Sequence, residues 1–185
     1  MRRRPVFVAG FAGVLALAGG AIAGCGGPPA ASNAAAGGTP GAAAGGKRAT
    51  IELEKGGSVV IQLFPDAAPQ TVKNFEDKAS KGFYNGLTFH RVEDWVVQGG
   101  DPRGDGRGGG QMATELSQRP FAVGAVGVAR GGDIRVSNDS QFFICTKPAE
   151  WLNNQYTNFG QVVSGMESVQ KIARGDKIKS ISVTG

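Results

Sequence analysis

The stretch Phe89-His90-Arg91-Val92-Glu93-Asp94-Trp95-Val96-Val97-Gln98-Gly99-Gly100-Asp101 decides the reading of the fold. It contains the end of one β-rich run, Leu87–Val92, and a second run, Trp95–Gln98, before a pair of glycines. Alternation along the first run sends His90 and Arg91 to opposite faces. Outward toward the C-terminus, short runs recur at Ala125–Ala129, Gln141–Thr146, Phe159–Val163 and Lys179–Val183. Toward the N-terminus, Thr50–Glu54 and Ser58–Phe64 flank Lys55-Gly56-Gly57, the signature of a hairpin. Only two helices are predicted. One begins at Pro65–Pro69, with Val72, Phe75 and Ala79 on one face, and stops near Gly82. The other is Met166–Ala173, with Val169, Ile172 and Ala173 on one face. Seven or eight short strands with two distant helices favour an antiparallel sheet or closed barrel over a parallel α/β sheet.

The chain has 185 residues, 20 Lys+Arg against 15 Asp+Glu, two cysteines and one histidine. Two cysteines make neither a disulfide scaffold nor a four-thiolate zinc site. Residues 1–24 read as an export signal: Arg2, Arg3 and Arg4 precede an uncharged apolar stretch from Pro5 to Ala23. Ile22-Ala23-Gly24-Cys25 resembles the bacterial lipoprotein box, in which the cysteine is lipidated and becomes the new N-terminus. A plain cleaved signal and an uncleaved anchor helix are the alternatives. Residues 25–48 then form a tether, since Gly, Ala and Pro supply 18 of the 23 residues after Cys25 and no large apolar side chain occurs. The folded domain is expected over residues 49–185. Arg2, Arg3 and Arg4 account for three of the 20 basic residues, so the remaining 17 against 15 acids leave a side-chain charge of +2. The basicity of the whole chain is mostly a targeting device, and no nucleic-acid footprint is expected.

Several motifs have plain readings. Gly104-x-Gly106-x-x-Gly109 lacks the following helix of a dinucleotide site and the Gly-Lys-Ser/Thr ending of a phosphate loop, so Gly99–Gly110 reads as a flexible surface loop. Asp101 and Asp105 lack an EF-hand register. His90 has no second histidine for a metal site and reads as a structural, hydrogen-bonded residue. Cys145, inside Phe142-Phe143-Ile144-Cys145, reads as a small core residue. No metal or cofactor is expected.

Five motifs occur in a fixed order: Phe89–Val92, Trp95–Asp101, Ser140–Ile144, Glu150-Trp151-Leu152 and Asn158-Phe159-Gly160. Together they resemble the cyclophilin family of peptidyl-prolyl cis–trans isomerases, from about Thr50 to Val183. The hairpin and Ala68–Phe75 are similar to the family as well. The resemblance implies a mainly β fold, a closed eight-stranded antiparallel barrel capped by two α-helices, with an active groove on an outer face.

It also implies roles. Arg91 aligns with the catalytic arginine, and Gln98 orients it and bonds the substrate backbone. Val96, Phe143 and Leu152 line a proline slot, with Trp95 as aromatic neighbour and Phe159 below. Ala129 and Arg130 offer main-chain groups to an extended peptide, Gln141 lies at the groove's edge, and Trp151 matches the position associated with cyclosporin binding. Alternation makes one of Phe142 and Phe143 core and the other groove, and Phe142 and Val97 read as core. There are departures. The segment between Arg91 and Gln98 is one residue shorter than the commonest pattern, and Glu93-Asp94 replaces Pro-Gly. Trp95 replaces Phe, Val96 replaces Met, Tyr156 stands where many members have His, and Asp139 fills a turn position where Gly is frequent.

The expected function is acceleration of X-Pro isomerisation during folding of exported proteins. A proline-segment-binding chaperone or adaptor with weak catalysis is the alternative. The expected partners are proline-containing polypeptides, a cyclosporin-type inhibitor and, through Cys25, the bacterial cell membrane, with the domain outside the cytoplasm and monomeric.

Overall fold

The computed structural model describes residues 46–185. The expected signal segment, Cys25 and nearly all of the tether lie outside the described residues. Among those described, no helix is long and apolar enough to cross a membrane.

The chain opens with the hairpin β1 (Arg48–Leu53) and β2 (Ser58–Leu63), so the first strand starts one residue ahead of the expected domain start. Helix α1 (Pro69–Ser80) follows, then β3 (Arg91–Glu93), β4 (Val96–Gly99) and β5 (Gln111–Ala113). Next come β6 (Ala125–Arg130), β7 (Val136–Cys145), a 3-10 turn at Glu150–Leu152, β8 (Asn158–Ser164), α2 (Met166–Val169) and β9 (Ile178–Thr184). All pairings are antiparallel, in the order β3-β4-β7-β6-β8-β2-β1-β9, with β5 appended to β7.

The fold is mainly β with two helices, as expected, but the eight-stranded ladder is an open curled sheet and not the closed barrel. β3 and β9 form no ladder with each other. A single bridge, Thr88 with Lys177, tacks the seam, flanked by bonds from Phe89 N–H to Asp176 O (2.9 Å) and Ile178 N–H to Leu87 O (2.9 Å). The reason is local. The expected strand Leu87–Val92 is regular only from Arg91, because Gly86 (φ 77°) and Gly175 (φ 94°) turn the two backbones just beside the bridge.

Alternation then divides the side chains between two apolar clusters. Ala49, Ile51 and Leu53 of β1, Val59, Ile61 and Leu63 of β2, Val97, Val126, Val128, Phe142 and Ile144 fill the main core under α1. Val96, Ala125, Phe143 and Cys145, their neighbours in sequence, build a second cluster with Phe121, Ala149 and Leu152. Burial pushes the Cys145 thiol up to about 12, in keeping with a core residue.

Helix α1 presents Val72, Phe75 and Ala79 to the core at three- and four-residue spacing. Pro69 occupies its first turn, where a missing N–H costs nothing. Ala68 cannot cap it. The Glu115 carboxylate does so from a distance, accepting from Gln70 N–H (3.1 Å) and Thr71 N–H (2.8 Å). The second helix is shorter than predicted and ends at Val169. Val169 and Ile172 are buried as expected, whereas Ala173 is exposed, because the chain leaves the helical path through Lys171 N–H to Ser168 O and Ile172 N–H to Val169 O.

Candidate active site

Arg91 and Gln98 are directly opposite each other in the β3–β4 pair. Arg91 Nη1 donates to Gln98 Oε1 (3.3 Å), and Gln98 Nε2 donates to Gln141 Oε1 (3.0 Å). Gln141 Nε2 donates in turn to the carbonyls of Gly106 (3.1 Å) and Gly108 (2.8 Å). A relay thus runs from the guanidinium across β4 and β7 into the glycine-rich loop.

That loop is not the free surface segment the sequence suggested. Asp101 is 1% exposed and accepts from Arg103 N–H (2.9 Å) and Gly106 N–H (2.5 Å). Burial alone would raise its pKa, yet these backbone donors and the nearby His90 hold the carboxyl below its ordinary range. Asp139, at the position where glycine is frequent, accepts from Gly110 N–H (2.6 Å) and pairs with Lys78 (3.3 Å). Its polar neighbours are therefore matched.

Beside the relay lies a cleft of about 520 Å³. Nine of the twelve expected catalytic and substrate-binding residues line it: Arg91, Gln98, Trp95, Val96, Ala129, Arg130, Phe143, Leu152 and Tyr156. Its floor is the second apolar cluster. Phe121 stacks on Phe143 at 5.7 Å, and Tyr156 meets Phe143 edge-on at 5.9 Å. Gly127 of β6 makes this stacking feasible, since a Cβ there would lie 2.3 Å from the Phe143 ring and 2.7 Å from that of Phe121. The guanidinium of Arg130 lies 4.3 Å from the Tyr156 ring and donates to Gln155 O (2.8 Å).

The other three expected residues sit elsewhere. Gln141 lines an adjoining hollow of about 600 Å³, which Gln98, Gly106, Ala129 and Arg130 share with the cleft. Phe159 belongs to the main core, 5.3 Å from Phe75, because its face of β8 points inward. Trp151 is 57% exposed outside the cleft, with its ring edge on Trp95 at 5.2 Å.

Sequence reasoning missed four contributors. Phe121 lies between Pro120 and the expected strand Ala125–Ala129, outside every expected element and motif. Arg174 reaches the cleft from the loop before β9. His90 lines the cleft too, and neither ring nitrogen has a protein hydrogen-bond partner, which corrects the expectation of a hydrogen-bonded residue. Burial, aided by Arg174 and Arg91, lowers its pKa against the pull of Asp101 and Asp105. Glu93 was readable, since residues two apart on a strand share a face. Its carboxylate accepts from Arg91 Nε (2.8 Å) and Nη2 (3.1 Å) and from Trp95 Nε1 (3.1 Å). The bonds from Arg91 hold Glu93 below its ordinary pKa, so it is charged at neutral pH.

Residues 48–184 match the family model described as cyclophilin type peptidyl-prolyl cis-trans isomerase/CLD. The chain is 43% identical over 138 residues to peptidyl-prolyl cis-trans isomerase B of Bacillus subtilis, covering 72% of this chain and 95% of that one. It is 38% identical over 141 residues to a peptidyl-prolyl cis-trans isomerase of Synechococcus elongatus, covering 74% and 95%. Among solved structures, a cyclophilin type isomerase of Cryptosporidium parvum superposes with TM-score 0.70 at 26% identity, over 75% of this chain and 98% of that one. A second structure of that protein, in the presence of the dipeptide Ala-Pro, gives 0.69. An arginine held by a glutamine at the lip of an apolar slot, on this sheet and with these relatives, places the chain in the cyclophilin-type family of peptidyl-prolyl cis–trans isomerases.

Proposed function

We propose that isomerisation runs through Arg91 in the cleft over Phe143. An X-Pro bond turns over a barrier of about 18–20 kcal/mol and breaks no covalent bond, so neither nucleophile nor base is needed. What lowers the barrier is stabilisation of the twisted amide. As conjugation is lost, the prolyl nitrogen becomes a better hydrogen-bond acceptor. A guanidinium, always charged and forked, donates to it without reorganising. Val96, Phe143 and Leu152 receive the proline ring, Gln98 bonds the peptide backbone, and Ala129 and Arg130 run alongside the extended chain.

The observation that carries this reading is the bond of Arg91 to Gln98 at the lip of the slot floored by Phe143, on which Phe121 stacks. The test is cis/trans exchange of an Ala-Pro-containing peptide, followed by NMR, with the full chain and its Arg91→Ala variant. A loss of roughly 10²–10³-fold in kcat/KM with an unchanged circular dichroism spectrum is expected. Wild-type exchange by Arg91→Ala overturns the reading.

We further propose that the substrates are exported proteins and that the domain works outside the cytoplasm, held to the membrane by lipid on Cys25. The arginine-led apolar run, the Ile22-Ala23-Gly24-Cys25 box and the Gly/Ala/Pro tether support this. Cys25→Ala should abolish lipid labelling and remove the protein from the membrane fraction. An unchanged membrane fraction contradicts it. The isomerase acts as a monomer in this proposal, and the exposed Trp151 beside Trp95 is the contact offered to a cyclosporin-type macrocycle.

A further inference from the structure

We propose that Glu93 is a positioning residue for the isomerisation, setting the guanidinium of Arg91 and the indole of Trp95 with one carboxylate. The proposal rests on the reading of Arg91 as the group that stabilises the twisted amide.

Arg91 and Glu93 flank Val92 in a three-residue strand, so their side chains leave the same face. Both carboxylate oxygens are used. Oε1 accepts from Nε at 2.8 Å, and Oε2 accepts from Nη2 at 3.1 Å, the two-pronged geometry that fixes a guanidinium plane. Oε2 also accepts from the Trp95 indole at 3.1 Å, and the Trp95 ring lies 5.4 Å from the guanidinium carbon. Gln98 holds Nη1 from the opposite side. Of five N–H donors, Glu93 takes two and Gln98 one, which leaves one on each terminal nitrogen for substrate.

The need for such a clamp follows from exposure. The Arg91 side chain is 43% exposed on an edge strand, and a guanidinium left to itself there samples many rotamers. Glu93 removes that freedom before substrate arrives. Its negative charge also weakens the guanidinium's field, but solvent at this exposed lip screens charge and not geometry. Placement therefore outweighs neutralisation. The same carboxylate carries the turn Glu93-Asp94 across the shortened segment, because it anchors Trp95 to the residue it must accompany. Asp94 plays no part in this, being paired with Lys147 at 2.8 Å.

The experiment is a double-mutant cycle in the full chain, with kcat and KM measured separately for Arg91→Ala, Glu93→Gln, and both together. Glu93→Gln is expected to lower kcat roughly tenfold with KM within about twofold, and to shift the Trp95 indole N–H resonance. In the Arg91→Ala background it should have no further effect on kcat. A kcat for Glu93→Gln at or above that of the wild type overturns the proposal, as does the same fold-loss in both backgrounds. Full activity of Arg91→Ala overturns the Arg91 reading, and this proposal with it, whatever Glu93→Gln does. Should Glu93→Gln fail to fold, Glu93→Ala serves in the same cycle with the same outcomes.

Discussion

Phe142 and Phe143 are neighbours in β7 and belong to different apolar clusters. Phe142 meets Phe75 edge-on at 5.7 Å and Tyr84 at 5.8 Å inside the main core, while Phe143 floors the cleft. Adjacent rings therefore separate stability from activity. Phe142→Ala should cost about 3–5 kcal/mol in urea unfolding, the range for a buried ring replaced by a cavity. Phe143→Leu keeps the site apolar and should cost only about 1–1.5 kcal/mol, while reshaping the slot enough to lower kcat/KM roughly tenfold. Equal stability losses with unchanged isomerisation by Phe143→Leu would refute the division.

This partition was legible in the sequence because a two-residue period needs no knowledge of partners. The same holds for Val96 and Val97, and the helical three- and four-residue spacing of Val72, Phe75 and Ala79 on α1 is equally local. The positions of Arg91, Gln98 and the residues around Phe143 came from the ordered motifs and not from periodicity. What was not legible depends on distant contacts. β5 is three residues long, too short for a period to be read from Gln111-Met112-Ala113, yet it pairs Val136, Ser137 and Asn138. That pairing draws the polar segment Val136–Ser140 into β7 against its weak strand propensity, so the strand begins five residues before the expected Gln141. The open seam between β3 and β9 is equally invisible, because strand count alone does not say whether the first and last ladders meet.

Glu115 is the clearest of these distant contacts, and it gives a prediction. It satisfies two N–H groups at the start of α1 from 44 and 45 residues away, and its own N–H donates to Thr157 Oγ1 at 2.9 Å. Thr71, one of the two donors, is 3% exposed, so water does not readily replace the carboxylate. Glu115→Ala should lower unfolding free energy by about 1–2 kcal/mol, the cost of a lost helix cap with a buried donor. Since Glu115 does not line the cleft, kcat/KM at 25 °C should stay at the wild-type value. A drop in activity without a drop in stability would show that the residue acts on the cleft instead.

His90 sets the pH dependence near neutrality, being the only histidine in the chain. Burial of its ring, reinforced by Arg174 and Arg91 and opposed by Asp101 and Asp105, puts its pKa in the fold below the ordinary 6.5. As pH falls past 6.5 the unfolded chain takes up the proton first, and the unfolded state then binds more protons than the folded one. Stability is therefore highest above 6.5, declines as pH falls toward the lowered value, and has lost the whole contribution below it. Asp101 works in a separate window. Its carboxyl is held below 3.8, so its contribution persists above 3.8 and disappears as pH falls through the lowered value. Urea midpoints measured from pH 8 to pH 5 should accordingly fall for the wild type and stay level for His90→Gln. A wild-type midpoint that holds or rises on acidification across that range means the ring accepts its proton in the fold as readily as in water, and the burial argument fails.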